Sequence, residues 1–132
     1  MSSPRWESLM LKHIKRAGLV LAIGLVALAP ALARGPGTYA VKGKAGSAGG
    51  GGYTGASSLT QTSSETWSIV WKIGSQTWTG YGIGDGRVIA LNFTGNGQTG
   101  VMLLVAKDDG TGYNAAWSYT GERKVGYEDW TK

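Results

Sequence analysis

Beyond residue 65, turn signals follow one another so closely that no helix of ordinary length fits between them. Gly74-Ser75, Gly84-Asp85-Gly86, Gly95-Asn96-Gly97, Asp108 to Gly112 and Gly121 to Lys124 bracket segments of eight to ten residues. In Thr66–Ile73 the residues Trp67, Ile69, Trp71 and Ile73 share one face, and Thr66, Ser68 and Lys72 share the other. That period of two belongs to a half-buried strand. Ile89, Leu91 and Phe93 repeat the pattern in Arg87–Thr94. With Thr38–Lys42, Tyr53–Gln61, Gln76–Ile83, Thr99–Lys107, Tyr113–Thr120 and Val125–Thr131, the chain reads as eight strands. Short loops make sequential strands antiparallel neighbours. Eight of them without a helix to cover a sheet predict an all-β, eight-stranded antiparallel up-and-down barrel, with a β-sandwich as the alternative.

The first 33 residues have a different character. Arg5, Lys12, Lys15 and Arg16 stand against Glu7, and an uncharged Leu/Ala/Val/Ile stretch follows from Ala17 to Ala33. It ends in Ala31-Leu32-Ala33. A basic start, an apolar middle and an A-x-A end predict a secretory signal peptide cut between Ala33 and Arg34. The alternative is an uncleaved anchor, since the stretch approaches the length of a spanning helix. The expected location is periplasmic or extracellular.

This reading changes the charge argument. The whole chain carries a net +5, but residues 34–132 hold nine basic residues against seven acidic ones, a net of +2. No basic run exceeds Arg123-Lys124, so a nucleic-acid partner is not expected, nor a membrane one after the cut. The only histidine, His13, falls in the signal, and the chain has no cysteine. Triads, Cys–His pairs and His/Cys zinc sites therefore lack their atoms in the mature domain. The expectation is a non-enzymatic domain without cofactor or metal.

All but two of the 23 glycines, all six tyrosines, Phe93 and five of six tryptophans lie beyond residue 33. Glycine at the turns with aromatic rings between them fits a packed β domain. Gly80 and Gly82 interrupt one strand, marking a place where a barrel curls or where Trp78 lies across. The strand Val101-Met102-Leu103-Leu104-Val105-Ala106 is apolar on both faces. One face, Met102/Leu104 or Val101/Leu103/Val105, must then be covered from outside, which predicts a homo-oligomer; Met102 and Leu104 are the candidate contact residues.

Flat rings at a barrel end can hold a small ligand or stack on a glycan. Trp67 and Trp71 share a face with Ile69 and Ile73 and read as core. Trp78, Trp117 and Tyr119, with Tyr53 and Tyr81, are the candidate ligand-binding residues. Glu128 and Asp129 are adjacent on a strand, so they point to opposite faces and cannot act on one substrate. An inward Glu128 would need a partner such as Arg87 or Lys72. Asp108-Asp109-Gly110 lacks the spacing of a calcium loop and reads as a hairpin turn.

Taken together, Gly37-Thr38-Tyr39-Ala40-Val41, Tyr53-Thr54-Gly55, Trp67 to Gly74, Trp78 to Gly84, Gln98-Thr99-Gly100, Ala116 to Tyr119 and Gly126 to Trp130 resemble a group of small exported bacterial proteins, some labelled fibronectin-binding. The chain departs from that group in its Gly-rich first loop and at Leu103-Leu104-Val105-Ala106. The resemblance carries over no catalytic residues. It implies a binding protein outside the cell, with an extracellular protein such as fibronectin as one candidate partner. The competing expectation is a structural or adhesive envelope protein that self-associates.

Overall fold

A computed structural model describes residues 34–44 and 50–132 of the chain. The expected signal peptide, with Ala33 before its expected cut, lies outside the described residues, as do residues 45–49 of the Gly-rich loop. The remainder is all-β, with β1 (Gly37–Gly43), β2 (Tyr53–Gln61), β3 (Thr66–Ile73), β4 (Gln76–Gly84), β5 (Val88–Gly95), β6 (Gln98–Ala106), β7 (Gly112–Tyr119) and β8 (Gly126–Thr131). Each strand pairs antiparallel with the next, and β8 returns to β1 to close the barrel. The closure pairs Ala40 to Gly43 with Thr131 to Glu128.

Alternation fixes inside and outside. On β5, Ile89, Leu91 and Phe93 are buried while Val88, Ala90 and Asn92 are exposed. The turns are of the kind that suits the strand twist; Asn96 (φ 50°) and Gly97 (φ 72°) both adopt left-handed backbone between β5 and β6. On β4 the inward positions after Trp78 are Gly80 and Gly82, and a Cβ at either would run into a β5 carbonyl, that of Asn92 or Ala90. Backbone fills the space that side chains would take, and the sheet curls tightly there.

The interior is packed with rings. Towards the end where β1 begins, Tyr39 meets Tyr113 edge-on at 5.5 Å and Trp130 at 5.9 Å. Towards the opposite end, Trp71 touches Trp78 at 5.0 Å, Phe93 at 5.2 Å and Trp117 at 5.5 Å. Such aromatic contacts add to the burial of the rings themselves.

Two expectations about side-chain direction are corrected here. Met102 and Leu104 point inward and are buried, because their β5 and β7 partners, Leu91 with Trp117 and Ile89 with Ala115, are inner-face residues. The outward face of β6 is Val101, Leu103 and Val105. Tyr81 is likewise outside: it is 52% exposed and sits opposite the exposed Asn92, on the wrong side of β4 to line an interior.

Candidate functional site

The two barrel ends are built differently. At the end where β1 begins, the Tyr39 hydroxyl donates to the Gly35 carbonyl. The Gly35 N–H donates to the Tyr113 hydroxyl at 2.8 Å, which in turn donates to the Gly86 carbonyl at 2.6 Å. Trp67 Nε1 donates to the Gly84 carbonyl at 2.9 Å. Lys132 crosses the rim, donating to the Pro36 carbonyl at 2.8 Å and lying 5.5 Å from the Tyr39 ring centre. Chain and rings together stopper this end.

The opposite end gathers the start of β2, the end of β3, the start of β4 and the end of β7. A cavity of about 150 Å³ opens there, lined by Tyr53, Trp71, Ile73, Gln76, Trp78, Trp117 and Tyr119. Four of the five expected ligand-binding residues thus share one site; Tyr81 does not. Trp78 and Trp117 are each 3% exposed and form its deep wall, while Tyr53 and Tyr119 are half-buried at the rim. Trp71, expected as core, is core and wall at once.

Two glycines place the rings. Tyr53 faces Gly43 across the β1–β2 pair, and Trp117 faces Gly126 across the β7–β8 pair. A Cβ on either glycine would lie inside the facing ring, so each ring lies flat over bare backbone. In that position Trp117 Nε1 donates to the Tyr53 hydroxyl at 3.0 Å. Tyr53 passes the interaction on, donating to Glu128 Oε2 at 2.6 Å, and Trp130 Nε1 donates to Glu128 Oε1 at 2.9 Å.

Glu128 is wholly buried. Its expected cationic partner is a second correction: neither Arg87 nor Lys72 reaches it, since Lys72 is on the outer face of β3 and Arg87 is in the β4–β5 turn at the stoppered end. Aromatic donors take that place. Burial pushes the Glu128 carboxyl above its ordinary value, against the pull of hydrogen bonding from Tyr53, Trp130 and Trp71. The Trp71 indole acts on the carboxylate without reaching hydrogen-bond geometry. Burial, and then the Glu128 carboxylate, raises the Tyr53 hydroxyl; burial raises that of Tyr119. Asp129 points outward as the alternation requires, pairing with Lys107 at 2.6 Å. Asp109 Oδ1 accepts from the Thr111 backbone and hydroxyl within its turn.

Trp71 Nε1 and Trp78 Nε1 are buried donors without a hydrogen-bond acceptor, an uncommon state for an indole. Glu128, Gln76 and Ile73 belong to the site but carry no local signal of it. Only their register, at or just behind the open end, brings them there. No known protein family, curated protein or solved structure matches the chain.

Proposed function

We propose that this protein is an exported, non-catalytic binding module that holds a small ligand at the aromatic-lined open end of its barrel. The observation that carries the reading is the asymmetry of the ends. Among the described residues, one is stoppered by Gly35, Pro36 and four inward rings, and the other opens on five rings around a cavity of about 150 Å³. Eight-stranded barrels commonly have room inside for side chains or for one small ligand, and here the room left over is at one end. The buried Trp78 indole N–H, left without an acceptor at that end, supports a ligand that carries a hydrogen-bond acceptor. The absence of His and Cys beyond residue 33 supports binding over catalysis.

Tryptophan fluorescence tests the reading, because three of the five barrel tryptophans line the cavity. A saturable change on titration with a small-molecule panel, lost in Tyr119→Ala and Gln76→Ala, supports it. Both variants alter rim residues and should leave the circular dichroism of the fold unchanged. Binding that survives both changes would place the ligand elsewhere.

A second reading, a self-associating envelope protein, rests on the outer face. Ile83, Ala90, Leu103, Ala116 and Tyr127 are register partners in an unbroken row across β4 to β8. Val88 pairs with Val105 beside it, and a hollow of about 470 Å³ lies along it between Val101, Leu103 and Val125. The outer positions of β1 to β3 are instead mostly Thr, Ser and Lys. A barrel spanning lipid carries its apolar band all round; a one-sided belt suits a second copy of the chain.

A further inference from the structure

We propose that the occupant of the open end is a small organic cation of the alkylammonium class, held by the ring faces and by the negative charge of Glu128 behind them. The inference rests on reading the open end as the ligand site.

Glu128 carries the argument. Among the described residues the ion pair between Lys107 and Asp129 lies on the outside, and no lysine or arginine reaches Glu128. Both of its hydrogen-bonding neighbours are donors: the Tyr53 hydroxyl at 2.6 Å and Trp130 Nε1 at 2.9 Å. The chain of donation from Trp117 through Tyr53 also runs toward the carboxylate. The hydrogen bonds that reach Glu128 favour its anionic form, while burial opposes it and raises the carboxyl. A buried anion satisfied by hydrogen bonds but not by charge is costly, and a nearby positive charge relieves it.

The site that could receive such a charge lies one side chain away. Tyr53 and Trp71, which act on Glu128, also line the cavity. Its remaining walls include Trp78, Trp117 and Tyr119, whose ring faces are the negative ends of their quadrupoles. Among the described residues no lysine or arginine lines it. The ring faces and the carboxylate behind them attract a cation, and the unpaired Trp78 indole N–H is left for an acceptor oxygen such as the choline hydroxyl. A neutral sugar would stack on the rings but gain nothing from Glu128. The volume, about 150 Å³, suits a compact head group.

The experiment titrates choline chloride, at constant chloride, against intrinsic tryptophan fluorescence, beside the neutral isostere in which carbon replaces the quaternary nitrogen. Choline should bind saturably and the isostere about tenfold more weakly. Glu128→Gln should lose about tenfold in choline affinity and leave the isostere unchanged. Because a buried change can impair folding, Gln76→Lys at the exposed rim provides a second arm, again weakening choline alone. Cosedimentation with phosphatidylcholine vesicles separates a lipid head group from a free metabolite as the source of the cation. Equal binding of choline and isostere, or binding only of neutral sugars, overturns the inference while the open end remains the ligand site. If no compound of any class binds, the ligand-site reading falls with it.

Discussion

Trp117 donates its indole N–H to the Tyr53 hydroxyl at 3.0 Å, joining two residues 64 positions apart. Each ring lies over a glycine of the adjacent strand, and the pair stands between the open end and a buried carboxylate. Geometry, packing and charge at the site all pass through this one contact.

Tyr53→Phe keeps the ring and removes its hydroxyl. Glu128 loses its shortest hydrogen bond, and Trp117 Nε1 loses its acceptor. Hydrogen bonds to charged groups are the stronger kind, so the expected loss is about 2 kcal/mol, read from urea denaturation. A loss near zero would mean that water replaces the hydroxyl.

Gly126→Ala places a methyl group where the Trp117 indole lies. The ring must swing away from Tyr53, at a cost of about 1–3 kcal/mol typical of overpacking. Near-ultraviolet circular dichroism should change with it, because Trp117 also touches Tyr119 at 5.1 Å and Trp71. An unchanged spectrum with unchanged stability would contradict the placement of the ring over bare backbone.

The raised Glu128 carboxyl makes a signed contribution to stability. Between the ordinary carboxylate value and the raised one, the folded protein keeps a proton that the unfolded chain has released. This contribution is therefore full below the ordinary value and is lost as pH rises through the raised one. Exposed Asp85 and Asp109, lowered chiefly by hydrogen bonds from Val88 and from Thr111 respectively, act in the opposite sense. Thermal melts of the wild type minus Glu128→Gln isolate the Glu128 part: the difference should fall with rising pH in that window. A flat difference would mean that Glu128 titrates alike in both states.

Self-association, if the outer belt drives it, depends on Leu103 and not on Met102. Leu103→Glu should shift sedimentation toward monomer with stability little changed. Met102→Ala, inside the barrel, should leave assembly alone and cost about 2–4 kcal/mol. A wild type that sediments as a monomer at every concentration removes the second reading.

Much of the barrel is legible in local pattern. Thr66–Ile73 is readable to the residue, because Trp67, Ile69, Trp71 and Ile73 keep one face apolar up to the turn at Gly74. Met102 and Leu104 show where the pattern stops informing: with both faces of a strand apolar, parity no longer tells inside from outside, and only the register with Leu91 and Trp117 does. Tyr81 was within reach, since an inward Trp78 puts the third residue beyond it outside. Residue type rather than parity places it among the ligand rings. The partners of Glu128 were not within reach. A buried acid ordinarily implies a cation, and a set of aromatic donors from β2 and β8 is assembled only by closure of the barrel.

That closure is made by four residue pairs, the last of them Gly43 with Glu128. The neighbouring pairings run to six or more, so the β1–β8 join is the shortest seam in the wall. It ends at the residue on which the open-end network converges. An occupant drawn to Glu128 would clasp the seam shut from within, and a barrel that unzips there would release its occupant in the same movement.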